Sequence, residues 1–266
     1  MATGVLDFVE AVRVYADRHN LLTRPAFVFV TGEMWGGMSI LRPAFPFVRR
    51  VLYSAEGTVQ NLSSLHLRIP SGSIVIAIHV RRGEFTAEIP DPSQPLWSQW
   101  NWALPLDWYI QVCRSIVEQL DVPHSFVLFT DGSPEELQPL IRDVGPITLF
   151  DQEMNVCSDL LAMAAADLLI CSRSSFSIWA AALSDSPYIW PADSLYSGPD
   201  YRAIWDHGEP TVSQENPTRQ RPRGVPVDSS SAVPSGLMGY LESVYSRRAL
   251  STDLVFYGRI APNNIF

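Results

Sequence analysis

Two arginines in immediate succession, Arg81 and Arg82, follow an apolar run from Ile74 to Ile78 that continues through His79 and Val80. A guanidinium keeps its charge at any physiological pH and can meet two oxygens at once, so the pair is suited to a phosphate or carboxylate. On extended backbone successive side chains point opposite ways, which lets one arginine reach a ligand while the other supports it. The plainer reading is a surface pair tied to local carboxylates. A second polar cluster, Ser172-Arg173-Ser174-Ser175-Phe176-Ser177, favours the ligand. A serine-rich turn that opens a helix offers free backbone N–H groups and the positive end of a dipole, an anion site. Arginine and helix terminus together point to a diphosphate. Asp131, before Gly132, and Asp159, ahead of Leu160-Leu161-Ala162-Met163, are the acidic candidates. Each reads either as a helix-terminal carboxylate or as an acceptor for the N1–H and exocyclic amine of a guanine, and their types alone leave both readings open.

The elements that must position these residues alternate along the chain. Ile74 to Val80 has the continuous, β-branched character of a strand buried on both faces. A Pro- and Trp-rich loop runs from Arg81 to about Leu104, and Pro105 and Asp107 open a helix with Trp108, Val112, Ile116 and Leu120 on one stripe. The pattern predicts a strand over Phe126–Thr130, a helix from about Pro134 to Arg142, and a strand over Ile147–Phe150. A helix from about Ser158 to Ala166, a strand over Leu168–Cys171, a helix from about Phe176 to Leu183 and a strand over Tyr188–Trp190 follow. Strands separated by helices of this length imply a parallel, doubly wound α/β sheet over roughly residues 73–195. Ligands of such sheets bind outside the carboxyl ends of the strands, where the polar clusters fall. Residues 1–72 are weaker: an amphipathic helix from about Leu6 to Arg18, a β-rich run Phe27–Val30 and a turn-prone Gly32–Gly37. Residues 196–266 read as an irregular extension, Pro191–Pro234 being aperiodic, with a helix over Leu237–Tyr245.

Composition narrows the function. The 266 residues carry a net charge of −9 and no lysine, all 19 basic residues being arginine. A net acidic chain lacks the clustered positive charge that holds nucleic acid, so no nucleic-acid partner is expected. No apolar run reaches the roughly 18 residues of a membrane span, and the first residues, with Asp7, Glu10 and Arg13, lack the basic cap and apolar run expected of a secretory signal. A soluble, cytoplasmic chain is the expectation, with another compartment the alternative if the N-terminus is incomplete. Cys113, Cys157 and Cys171 lie in or beside apolar periodic segments without zinc-type spacing and read as buried apolar residues. Asn61-Leu62-Ser63 matches a glycosylation acceptor, a pattern short enough to arise by chance. His19, His66, His124 and His207 have no partner by spacing.

Five segments in chain order carry a resemblance: Ile76-Ala77-Ile78-His79-Val80-Arg81-Arg82-Gly83-Glu84-Phe85, Leu104-Pro105-Leu106-Asp107-Trp108-Tyr109, Phe129-Thr130-Asp131, Asp159-Leu160-Leu161-Ala162-Met163 and Ser174-Ser175-Phe176-Ser177-Ile178-Trp179-Ala180. Over about residues 74–192 the chain resembles the α-1,2-fucosyltransferases (glycosyltransferase family 11) and, more distantly, the protein O-fucosyltransferases and α-1,6-fucosyltransferases. The resemblance implies a GT-B-like donor domain that binds GDP-fucose without a metal or other cofactor. It also implies inverting transfer to a hydroxyl of a glycan acceptor. By the same resemblance Arg81 contacts the β-phosphate with Arg82 in support, His79 and Asp159 contact guanosine, and Ser174 and Ser175, beside Phe176, hold the diphosphate.

The chain also departs from the family pattern. Glu84 stands where an Asp is usual, one methylene longer, and either orients an arginine or serves as base. Arg173 stands where an Asn is common, and either binds phosphate or fills the pocket. The family's glycine-rich opening turn has no counterpart beyond Trp35-Gly36-Gly37-Met38, so residues 1–72 are read as a reduced acceptor-side region. These departures motivate an alternative, a non-catalytic nucleotide-sugar or glycan-binding pseudoenzyme. A different nucleotide-dependent transferase on the same plan is a third reading, but the phosphate loop that would favour it needs a lysine. Trp97, Trp100 and Trp102 either pack the loop after the arginines or offer a saccharide a stacking face.

Overall fold

The computed structural model describes residues 14, 16–18, 20, 44–85, 103–152, 154–192, 224–228 and 232–249. In chain order these form α1 (Phe45–Tyr53), α2 (Thr58–Arg68), β1 (Ile74–Val80), α3 (Leu106–Val117), β2 (His124–Thr130) and α4 (Gln138–Val144). Then follow α5 (Val156–Ala165), β3 (Leu168–Ile170), α6 (Ser175–Leu183), β4 (Tyr188–Pro191), β5 (Gly224–Val227) and α7 (Ser235–Ala249). Residues 14 and 16–18 are helical, within the stretch read as the Leu6–Arg18 helix. The run Phe27–Val30, the turn Gly32–Gly37 with Trp35 and Met38, the tryptophans at 97, 100 and 102, and His19 and His207 lie outside the described residues.

The strands form one parallel five-stranded sheet in the order β2-β1-β3-β4-β5. β1 is an interior strand, and its near-continuous apolar run suits that place: it is buried on both faces from Ile74 to Val80. It pairs with β2 from Ile74↔His124 to Val80↔Thr130 and with β3 from Ile76↔Leu168 to Ile78↔Ile170. The alternation of a strand sorts its side chains between two cores. Ile74, Ile76, Ile78 and Val80 pack with α3, α4 and α7, while Val75 and Ala77 pack with α1, α2, α5 and α6. Helices thus cover both faces, and the expected doubly wound α/β architecture is present, in an order compatible with a Rossmann-like fold.

Ile147 makes a single parallel bridge to Val127 on the free side of β2, its N–H donating to Phe126 O and its carbonyl accepting from Leu128 N. The strand expected over Ile147–Phe150 is reduced to that bridge. Pro146 supplies no donor before it, and the chain turns away when Gln152 N donates to Leu149 O. Counting this bridge, the strands are arranged 3-2-1-4-5-6, and the order reverses between β1 and β3, the switch point at which such sheets open a crevice.

Among the described residues of the stretch read as irregular, Pro191 to Pro234, there is a strand that the periodicity did not reveal. β5 extends β4 from Tyr188↔Gly224 to Pro191↔Val227. Four residues with a central proline carry almost no strand signal, and Pro226 is tolerated because β5 is the outermost strand of the described sheet and Pro226 is exposed. The last helix is longer than read, 235–249 against 237–245, and it seals the sheet with Leu237, Met238 and Leu241. α5 begins at Val156 rather than near Ser158. Asn155 caps it, accepting from Ser158 N at 2.7 Å while its own N–H donates to Ser158 Oγ at 3.1 Å. Among the described residues no helix is long and apolar enough to cross a membrane.

Candidate functional site

The carboxyl ends of β1, β2 and β3 deliver the expected residues to the switch point, and strand alternation divides them between the two faces. His79 faces α6. It is buried, and its Nδ1 lies 2.6 Å from Ser177 Oγ and 3.0 Å from Ser172 Oγ. Ser172 N–H donates to Ser177 Oγ at 3.0 Å, and the two hydroxyls are 3.1 Å apart. Burial pushes the imidazole down to about 4, with Asp131 opposing and Arg81 adding to the shift, so His79 is neutral near pH 7. The ring also meets Phe176, with centroids 5.4 Å apart. His79 therefore ties the end of β1 to the first turn of α6.

Arg81 continues on the same face. Its Nη1 is 2.8 Å from Asp131 Oδ2, and its Nη2 donates to both oxygens of Glu84, at 2.6 and 2.8 Å. The guanidinium carbon lies 5.4 Å from the centre of the Phe85 ring, within cation–π range. Asp131 Oδ1 also accepts from the backbone N–H of Arg82 at 2.7 Å. This close approach requires glycine at 83: a Cβ there would stand 2.5 Å from Asp131 Oδ2, and the backbone has φ +42°. Hydrogen bonding to Arg81 holds the Glu84 carboxyl below its ordinary value.

Arg82 points to the opposite face, as the alternation requires. It is buried, its Nε 3.3 Å from Glu136 Oε1, and its side chain lies against Gly132, where a Cβ would come within 2.8 Å of Arg82 Cγ. Tyr109, from the first turn of α3, is buried nearby. Burial raises its phenol well above the ordinary value, while the guanidinium groups of Arg82 and then Arg173 pull the other way. The two arginines on this face are thus within electrostatic reach of one phenol.

α6 starts at Ser175 with Ser174 as its cap, the Ser174 hydroxyl accepting from Phe176 N at 3.2 Å. Ser174 is buried and Ser175 exposed. The first-turn N–H groups of α6 therefore face the same edge as Arg81, since β3 leads straight into them through Cys171–Arg173.

The structure joins Arg81 to Glu84 and Asp131, and His79 to Ser172, Ser177 and Phe176 in the opening of α6 that Ser174 caps, while Arg82 and Arg173 both act on Tyr109. Asp159 stands apart. It sits half-buried in the first turn of α5, and no hydrogen bond or ion pair joins its side chain to the others. Its Oδ1 is buried without a hydrogen-bond partner, and burial pushes the carboxyl up to about 6. Four residues of the site were given no role of their own from the sequence: Ser172 and Ser177 stood within the serine-rich cluster, Tyr109 within a motif segment, and Glu136 was not named. Ser177 had a signal, since it lies three residues after the cap Ser174, on the turn of α6 that a side chain from His79's face of β1 must meet. Glu136 had none, because its position depends on how the loop after β2 folds over Gly132.

No protein-family model, no curated protein and no solved structure matches the chain.

Proposed function

We propose that this chain is an inverting glycosyltransferase that moves fucose from GDP-fucose to a sugar hydroxyl, on a GT-B-like donor domain. The observation that supports the reading is that Arg81 follows β1 and the N-terminus of α6 follows β3 at the same carboxyl edge of the sheet, where the strand order reverses. In the reaction the acceptor oxygen bonds to C1 of fucose as the C1–O bond to the β-phosphate breaks. GDP departs with the bonding pair, the acceptor proton passes to a base, and C1 is inverted. Negative charge grows on the diphosphate, and a guanidinium and helix N–H groups fixed in advance act most strongly on charge that develops in the transition state. In this reading Arg81 supplies that charge, Arg82 fixes the loop through its backbone N–H on Asp131, and Ser174 and Ser175 present the helix terminus. Glu84 is the carboxylate nearest Arg81 with an exposed side chain and is assigned as proton acceptor. His79 positions α6 from beneath through Ser177.

The pseudoenzyme reading draws on one feature, the engagement of Arg81 by two carboxylates that a diphosphate has to face. Calorimetric titration with GDP, GDP-fucose and ADP, with and without a chelator, tests both. Chelator-insensitive binding of the guanine compounds, reduced at least about 100-fold in Arg81→Ala and unchanged in Arg142→Ala, is the expected result. Equal losses in the two variants would remove Arg81 from the site. Binding of GDP-fucose without transfer to any of a panel of glycans would favour the pseudoenzyme.

A further inference from the structure

The two carboxylates on Arg81 are held in different ways. Asp131 is fixed: one oxygen accepts from Arg82 N–H at 2.7 Å, the other meets Arg81 Nη1 at 2.8 Å, and the backbone of Gly83 presses against it. Among the described residues, the only side chain that holds the Glu84 carboxylate is Arg81. Both of its oxygens rest on the single nitrogen Nη2, its own backbone N–H adds a local hydrogen bond, its side chain is 62% exposed, and it hangs from a turn closed by Phe85 N–H on Arg82 O. An exposed ion pair three residues apart contributes little net stability, so a better-charged acceptor displaces it readily. A phosphoryl oxygen is such an acceptor.

We propose that Glu84 is an exchangeable counter-ion, which occupies Nη2 of Arg81 until a diphosphate takes that nitrogen, while Asp131 stays in place and keeps Arg81 aimed. The inference rests on the reading of Arg81 as the diphosphate-binding residue. It gives the exposed Glu84 a definite role: the anion of the donor releases the carboxylate, which is then free to take the acceptor proton. Because the exchange happens at one nitrogen, removing the Glu84 charge must strengthen anion binding, whereas disturbing the fixed carboxylate must weaken it.

Titration of inorganic pyrophosphate, GDP and ADP into the full chain and its Glu84→Gln, Asp131→Asn and Glu135→Gln variants tests this. Glu84→Gln is expected to tighten pyrophosphate and GDP about three- to fivefold, the range of an exposed ion pair. Asp131→Asn is expected to weaken both. Glu135→Gln, which removes an equal charge from an exposed position not joined to Arg81, is expected to leave them unchanged. Unchanged or weaker binding in Glu84→Gln, an equal gain in Glu135→Gln, or no pyrophosphate binding to either wild type or Glu84→Gln would overturn the exchange. A gain for pyrophosphate with no preference for GDP over ADP would uphold the exchange and instead overturn the guanine-nucleotide reading.

Discussion

Two arginine–aspartate clusters stand at opposite ends of the same strands. At the amino edge, Arg248 from the end of α7 clamps Asp167 with both Nη atoms, and Asp167 Oδ2 also accepts from Val75 N–H at 2.9 Å. The side chains there are 10% and 1% exposed. At the carboxyl edge, Arg81 meets Asp131 and Glu84 with side chains 30%, 32% and 62% exposed. The partners are chemically alike, so burial makes the difference. The sealed cluster leaves no approach for a ligand and locks α7 to the sheet. The open one leaves a guanidinium whose partners can be exchanged, and it is flanked by Gly83 and Gly132, which let the β1 and β2 loops close around it.

The largest effect is expected at the sealed end. Asp167→Ala leaves Arg248 buried without its carboxylate and should cost about 3 to 5 kcal/mol in urea unfolding, with GDP affinity of the folded fraction unchanged. A loss of GDP affinity without a loss of stability would abolish the contrast between the two edges.

A second test separates the groups at the carboxyl edge by pH. His79 titrates at about 4 in the folded chain and near 6.5 when unfolded, so the unfolded chain holds more protons in between. Its contribution is complete above 6.5 and is lost as the pH falls toward 4, a slope worth about 3 kcal/mol at most. Asp159 acts in the opposite sense: with its folded value raised to about 6 from 3.8, it favours the folded state at low pH and loses that contribution as the pH rises through 6. The two slopes oppose each other between about pH 4 and 6. Asp159→Asn should therefore steepen the rise of stability with pH, and His79→Gln should turn it into a fall, as read from urea midpoints across that range. Profiles parallel to wild type in both variants would remove these two groups from the pH response.

The smallest effect is local. Gly83→Ala puts a Cβ against Asp131 Oδ2 on a backbone with positive φ, and should cost about 1 to 2 kcal/mol. Displacing Asp131 from Arg82 N–H should also weaken GDP binding, so a variant of wild-type stability and affinity would show that the fixed carboxylate is not held as described.

Much of this was legible before any coordinates. Ile74 to Val80 has the β-branched, continuously apolar character expected of a strand buried on both faces, and the repeated spacing of apolar runs and amphipathic helices leads to a parallel sheet. The alternation at Arg81 and Arg82 also carried through: Arg81 turns to Glu84 and Asp131, and Arg82 turns the other way, to Glu136. What could not be read were features of low local signal. β5 is four residues with a proline, held by pairing with β4 rather than by its own pattern, and the Ile147 strand shrinks to one bridge because the chain turns away after it.

The sequence by itself determined the strand ends, the arginines that follow them and the serine-opened helix, because side-chain period and helix-capping chemistry are local properties written in neighbouring residues. Only the tertiary structure decided which carboxylates share a guanidinium, that His79 is buried among Ser172 and Ser177, that Asp159 stands apart, and that one Arg–Asp pair is sealed while the other is open. Apart from the Arg81–Glu84 pair, three positions apart, those facts depend on distances between segments 49 to 98 positions apart in the chain and on the water excluded between them, and neither quantity is encoded in the residues of any one segment.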